Sequence, residues 1–149
     1  MRNSITVTLL TFIMGFTVFG QTKTEVPTGK INWLTWQEMI SVREQDSIKK
    51  KIFIDFTTGW CGWCHKMDAT TFVDPNVASY MNSTYYAVKF DAETMDTIQF
   101  NDHTFTNSDP SFVKKSPKAR GKVHYLAYSM LDGKTSYPSY AILDDQFTR

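Results

Sequence analysis

The sequence predicts an α/β sandwich with a central β-sheet. Three short apolar and aromatic runs have the composition of buried strands: IFIDF (52–56), YYAVKF (85–90) and SYAIL (139–143). Segments with helical signals separate these runs, an alternation typical of α/β proteins. With 149 residues, including eleven Phe, seven Tyr and four Trp, the chain is long enough for one domain with a substantial core.

The first two helices are predicted from their start signals. Thr35 followed by Glu38 forms a capping-box pattern, and this helix should run to about residue 48, where lysines 49–51 suit its C-terminal end. A second helix should follow Cys61 and continue to about Thr70.

The remaining elements follow from turn and cap residues. Asp74-Pro75 predicts a new helix, since Asp is a good N-cap and Pro suits the first helical position. Segments 97–100 and 103–105 flank Asn101-Asp102 and predict a hairpin. A last helix should run from about Lys122 to Leu131 and stop at Gly133, before the strand at 139–143.

The first twenty residues have the pattern of a signal peptide. Arg2 precedes an apolar stretch at 5–19, and the small residues Val18 and Gly20 precede Gln21. The stretch is shorter than the about 20 residues of a membrane span, so we expect a periplasmic or secreted protein. The alternative is a retained N-terminal anchor, which would then be the chain's membrane contact. Residues 21–30 are polar and contain Pro and Gly, as in a linker.

The charge pattern gives no reason to expect a nucleic-acid partner. Without residues 1–20 the chain has equal numbers of acidic and basic residues. Five basic residues and no acidic ones lie between Asp109 and Asp132, which indicates a solvated loop or, alternatively, a docking patch for an acidic partner.

The two cysteines, in GWCGWCHKM (59–67), have a spacing that serves three chemistries: thiol–disulfide exchange, zinc binding and covalent haem attachment. Zinc sites usually have four ligands, and the three histidines have no recognisable spacing. Cys61-Gly62-Trp63-Cys64-His65 satisfies the haem pattern, but a strand precedes it, whereas helices surround small c-type haem sites. A structural disulfide normally closes a longer loop.

Thiol–disulfide exchange fits the neighbouring features. A strand, a loop and then a helix should place Cys61 at a helix N-terminus, which favours the thiolate that attacks disulfides. Cys64 follows one turn later on the same face, so the two sulfurs can join. Asp55 interrupts the apolar strand, and burial of a carboxylate costs several kcal/mol unless it is paired, protonated or solvated, which points to a functional acid.

These segments resemble the thioredoxin superfamily, and most of all the secreted bacterial thioredoxin-like proteins with a Trp-Cys-Gly-Trp-Cys motif. The similarity covers 31–149 apart from an insertion at about 94–122. WLTWQEMI resembles the N-terminal helix of the family, and KKIFIDFTTGWCGWCHKMDATTF resembles its strand, active site and helix. YYAVKFDAE resembles the next strand, and SYPSYAILDD resembles the cis-proline loop and the strand after it. The resemblance implies a thioredoxin-like three-layer sandwich with a central mixed sheet.

The resemblance also implies a role for each matching residue. Cys61 is the nucleophile and Cys64 resolves the mixed disulfide. Asp55 is the buried acid that assists deprotonation of the second thiol through water, and Lys89 lies near it. Pro138 is a cis-proline that faces the disulfide.

Substrate contacts are implied for Trp60, Trp63, Tyr137 and Pro138, with the Tyr137 backbone pairing with an extended substrate. The expected partners are protein disulfides and an unidentified electron donor, with no cofactor and no metal. The leading interpretation is therefore an exported protein-disulfide oxidoreductase biased towards reduction. The alternatives are a non-catalytic binding module of the same fold and haem attachment.

The chain departs from the family pattern in four places. Trp63 replaces the Pro of the best-known members, Tyr137 is larger than the usual residue before the cis-proline, and His65 replaces the common Lys. The family fold continues with another strand and a covering helix, whereas this chain stops at Arg149, so we expect a C-terminally truncated domain that lacks both.

Overall fold

The computed structural model describes residues 29–107 and 123–149. The predicted signal peptide, most of the linker and the basic residues between 114 and 122 lie outside these ranges. Within them, no helix has the length and apolar character needed to cross a membrane.

A four-stranded sheet forms the centre of the fold. Its strands are β1 (Trp33–Leu34), β2 (Lys51–Thr57), β3 (Tyr85–Asp91) and β6 (Ser139–Leu143), in the order β1-β3-β2-β6. Strand β3 pairs in parallel with β1 and β2, and β6 pairs antiparallel with β2, so the sheet is mixed as predicted.

Strand β1 corrects one expectation. The resemblance assigned Trp33 and Leu34 to the N-terminal helix, which was wrong, because both residues pair with β3. The helix begins only after Thr35, whose side chain accepts from the Glu38 N–H at 3.2 Å while the Glu38 carboxylate accepts from the Thr35 N–H at 2.8 Å. This confirms the predicted capping box.

Helices cover both faces of the sheet. Their bounds are α1 (Trp36–Gln45), α2 (Gly62–Ala69), a 3₁₀ turn (Thr71–Val73), α3 (Pro75–Thr84) and α4 (Tyr125–Met130). Helices α1 and α4 share one core with the side chains of Ile52, Ile54 and Phe56. The 3₁₀ turn and α3 form a second core on the opposite face, where Phe53 and Met67 also pack.

Helix α1 ends at Gln45, earlier than residue 48, and α4 is shorter than predicted. Beyond the end of α1, the Lys49 ammonium donates to the carbonyls of Arg43 and Asp46, so a lysine does serve the C-terminal end of the helix. After α4, Gly133 has φ 75°, and a Cβ there would lie 2.8 Å from the Tyr128 hydroxyl oxygen. Glycine adopts this conformation readily, whereas a larger residue there would be strained.

The predicted hairpin is present as β4 (Ile98–Phe100) and β5 (His103–Phe105). Its turn residues Asn101 and Asp102 have φ 49° and 60°, the left-handed values that these residue types tolerate and that a tight hairpin turn requires. The Phe100 ring packs edge-on against Trp36 with centroids 5.1 Å apart. The described part of the insertion is therefore joined to the main core.

We expect His124 to make the described fold sensitive to acid. It is fully buried at the N-cap of α4, its Nδ1 accepts from the Leu126 N–H at 3.2 Å, and its Nε2 donates to the Asp96 carbonyl at 3.1 Å. Burial lowers the pKa of His124 below its ordinary value of 6.5, while the Asp96 carbonyl partly opposes the shift. The neutral ring is thus the form that the fold favours.

We expect the free energy of unfolding to decrease as the pH falls below 6.5, the ordinary histidine value. In this window the unfolded chain binds the proton more readily than the folded chain, so the stability present above 6.5 is progressively lost. A protonated Nδ1 no longer accepts the Leu126 N–H, a cap interaction of about 1 kcal/mol. Urea unfolding across this pH range measures the effect.

The control for this prediction is a second histidine. His124→Asn should remove the acid-dependent loss, since the Asn side chain caps without titrating, whereas His103→Asn, at an exposed position, should retain it. The same pH dependence in both variants would contradict the role assigned to His124.

Candidate active site

The two cysteines form a disulfide at the start of α2. Cys61 and Cys64 have Cα atoms 5.3 Å apart, and their exposed fractions are only 3% and 2%. A bond across three residues adds little constraint to an unfolded chain. The disulfide therefore contributes little to the stability of the fold, which favours a chemical role over a structural one.

Cys61 is the N-cap residue of α2, as the sequence predicts. Its Sγ accepts the Cys64 N–H at 3.1 Å, and its carbonyl accepts the His65 N–H at 3.2 Å. The unpaired amides and the dipole at a helix N-terminus stabilise negative charge. In the reduced protein, the same amide would stabilise a thiolate on Cys61.

The loop before Cys61 is held by backbone and side-chain contacts. The Cys61 N–H donates to the Thr58 carbonyl at 3.1 Å, and His65 Nε2 lies 3.2 Å from the Gly59 carbonyl oxygen. His65 thus connects the helix back to the loop, which is a local structural contact.

Asp55 and Lys89 are cross-strand neighbours on β2 and β3. The Lys89 Nζ lies 3.4 Å from Asp55 Oδ2, and Asp55 is 2% exposed. Burial raises the pKa of Asp55, and the nearby Lys89 ammonium partly offsets this effect. Asp55 Oδ1 makes no hydrogen bond within the described residues, so one carboxylate oxygen is open to a proton.

Asp68 is a third charged residue here, and the sequence reading missed it. Its carboxylate accepts a hydrogen bond from the Lys89 ammonium, so one ammonium contacts two carboxylates. Asp68 lies four residues after Cys64 on α2, and this helical spacing places both on one face. That spacing is the signal that could have identified it.

Three of the four proposed substrate-contact residues, Trp60, Tyr137 and Pro138, lie on two adjacent loops. Trp60 and Tyr137 have ring centroids 6.1 Å apart, and the Tyr137–Pro138 peptide bond is cis, as the resemblance implies. Trp60 and Trp63 are 65% and 67% exposed, large apolar surfaces that flank Cys61. Their contact with a substrate stays a prediction.

Tyr137, on the second of these two loops, has a side-chain phenol that is neutral at physiological pH. Burial, followed by the charges of Glu93 and Asp91, raises the pKa of Tyr137 to about 12. Its hydroxyl is buried and has no hydrogen-bond partner within the described residues.

The structure thus groups the predicted residues into two sets. Trp60, Tyr137 and Pro138 lie together beside the disulfide loop, while Asp55 and Lys89 meet on the sheet. Trp63 instead lies on the first turn of α2, with the Lys66 ammonium 4.9 Å from its ring centroid.

Across residues 29–107 and 123–149, no three His, Cys, Asp or Glu side chains cluster as a metal site would require.

Known proteins resemble this chain in fold or in sequence. A solved structure titled "DsbH Oxidoreductase" matches with a TM-score of 0.50 and 17% identity, over 86% of this chain and 75% of that chain, which supports the thioredoxin-like fold. The "Thiol:disulfide interchange protein DsbD" of Photorhabdus laumondii is 34% identical over 70 residues. That match covers 47% of this chain but only 12% of the length of the curated relative.

A family model covers more of the chain than the curated relative does. The Thioredox_DsbH model, described as "Protein of unknown function, DUF255", matches residues 23–108, which include the cysteine pair, Asp55 and Lys89. The chain therefore belongs to the Thioredox_DsbH family.

Proposed function

We propose that this chain is an exported thiol–disulfide oxidoreductase that reduces or exchanges protein disulfides through the Cys61–Cys64 couple. The observation that carries the proposal is the buried disulfide whose first sulfur caps helix α2. The name of the DsbD relative, a thiol:disulfide interchange protein, supports the same chemistry.

The first half-reaction starts from the dithiol form. The Cys61 thiolate attacks one sulfur of a substrate disulfide, and an S–S bond forms between Cys61 and that sulfur while the substrate S–S bond breaks. The other substrate sulfur leaves as a thiolate and takes a proton from solvent. The amide N–H that contacts Cys61 Sγ at 3.1 Å stabilises the attacking thiolate.

The second half-reaction releases the substrate. Cys64 gives its proton to Asp55 through water, and the resulting thiolate attacks Cys61 Sγ. The Cys61–Cys64 bond forms, and the substrate sulfur leaves as a thiolate, which is then protonated. Two electrons have passed from the protein to the substrate, and a dithiol donor restores the reduced pair.

Substrate binding is assigned to the two adjacent loops and to the first turn of α2. The exposed rings of Trp60 and Trp63 would contact apolar side chains near the substrate disulfide, and the backbone of Tyr137 would pair with an extended segment. Export is proposed from the apolar segment 5–19, and a bias towards reduction from Asp55, Lys89 and the uncharged Gly62-Trp63 pair.

The exposed Trp60 and Trp63 also favour a second candidate, a binding module whose disulfide turns over little. Haem attachment is less well supported, because both sulfurs are buried and bonded to each other.

Insulin reduction with dithiothreitol as the donor tests the proposal. The purified protein should accelerate insulin precipitation catalytically, at a substoichiometric concentration. The same protein with both thiols alkylated serves as the control. Equal rates for the native and alkylated proteins would reject the oxidoreductase and favour the binding module.

A further inference from the structure

We propose that Asp68 is a positioning residue for the exchange reaction: by binding Lys89 it keeps one ammonium shared between two carboxylates, so that Asp55 can both take and return a proton. The inference rests on the proposed function for its effect on rate. It concerns a residue to which neither the motif nor the resemblance assigns a role.

The contacts form a chain from the protein interior to solvent. Asp55 is 2% exposed, Lys89 is 28% exposed and Asp68 is 36% exposed. Lys89 donates a hydrogen bond to Asp68, while its Nζ lies 3.4 Å from Asp55 Oδ2. The closer partner of the ammonium is thus the exposed carboxylate and not the buried one.

Aromatic rings limit where the ammonium can lie. The Lys89 Nζ is 4.9 Å from the ring centroid of Trp33 and 5.8 Å from that of Phe72. Both distances fall within the range of cation–π contacts. Lys89 is therefore held between two rings and two carboxylates, and loss of either carboxylate would move it towards the other.

Other ionisable groups also face Asp55. Strand β3 contributes Lys89, α2 contributes Asp68, and β6 contributes Tyr140, which pairs in register with Asp55. Burial raises the pKa of Tyr140, with further increases from Asp55 and Asp68, so this phenol is neutral at physiological pH. Lys89 and Asp68 are thus the charges that set the ionisation of Asp55.

Removal of the Asp68 charge should make Asp55 a weaker base. Burial raises the pKa of Asp55, Lys89 lowers it, and Asp68 raises it. In Asp68→Asn the ammonium would have Asp55 as its remaining carboxylate partner, which favours the ionised form of Asp55. A weaker base accepts the Cys64 proton less readily, so the resolving step should slow.

The kinetic test separates the two thiols. The reduced protein is mixed with an aromatic disulfide that releases a coloured thiolate, first when Cys61 attacks and again when Cys64 resolves the mixed disulfide. In Asp68→Asn, the second phase should slow about threefold to tenfold near neutral pH, and the midpoint of its pH profile should move to lower pH. The first phase should change less.

Two variants serve as controls. Asp68→Glu keeps the carboxylate and should restore most of the second-phase rate. Asp102→Asn makes the same charge change at an exposed hairpin turn that tolerates Asn, and it should behave as wild type. A second-phase profile in Asp68→Asn that superimposes on that of Asp102→Asn would overturn the inference.

A direct titration keeps this inference separate from the proposed function. Carbon-detected NMR of the Asp55 carboxyl, assigned with Asp55→Asn, reports its ionisation whether or not the protein exchanges disulfides. The carboxyl should ionise at lower pH in Asp68→Asn than in wild type. An unchanged or higher ionisation pH would reject the role of Asp68, whereas a wild-type protein without exchange activity would reject the proposed function alone.

Discussion

Cys61→Ser is expected to lower the rate of insulin reduction by about a thousandfold or more. The hydroxyl of serine does not ionise near neutral pH, so the α2 amide that contacts the Cys61 sulfur at 3.1 Å would have no thiolate to stabilise. The first-turn amide of α2 contacts the sulfur of Cys61, so Cys64 should not replace Cys61 as the attacking group. The turnover assay with dithiothreitol measures the loss.

Cys64→Ser is the matched control, since it changes the same atom type one helical turn away. Cys61 should still attack, but without a resolving thiol the mixed disulfide should accumulate as a covalent adduct. Mass spectrometry should place this adduct on Cys61 and show its release by reductant. A Cys61→Ser protein with wild-type turnover, or an adduct on Cys64 in wild type, would contradict the assignment.

Ile54→Ala is expected to lower the free energy of unfolding by about 2–5 kcal/mol. Ile54 is fully buried in β2, where it pairs with Val88 of β3 and Ala141 of β6. Truncation would leave a cavity at the centre of the sheet, next to Asp55, and the paired strands restrict its collapse. Chemical denaturation followed by fluorescence provides the measurement.

Ile48→Ala makes the same chemical change at a position that is 83% exposed. Its effect should be less than about 0.5 kcal/mol. Comparable losses in the two variants would mean that the sheet centre is not packed as the structure describes.

Much of the fold is predictable because its signals are local. The three apolar runs are the three longest strands of the described residues, and the caps at Thr35 and Asp74 lie where the sequence places them. Strand β1 was not predicted, because two residues are too few to show an alternating hydrophobic pattern. Trp33 and Leu34 form a strand only through their pairing with β3.

The site was predictable in part for a related reason. Cys61 as an N-cap and Asp55 as a buried acid follow from residue type and position within one segment. The spacing of Asp68 from Cys64 on α2 is a weaker signal, because the importance of Asp68 depends on Lys89, which is 21 residues away on β3. The cis bond before Pro138 came from the family resemblance, since few X-Pro bonds are cis.

Equilibration of the protein in thiol–disulfide buffers of graded potential tests most directly whether the Cys61–Cys64 bond is a working redox couple. We expect one reversible two-electron transition, absent in either Cys→Ser variant, with a midpoint in the range of roughly −120 to −270 mV that thiol–disulfide oxidoreductases occupy. A pair that stays oxidised below about −300 mV, as structural disulfides do, or that never joins, would contradict it.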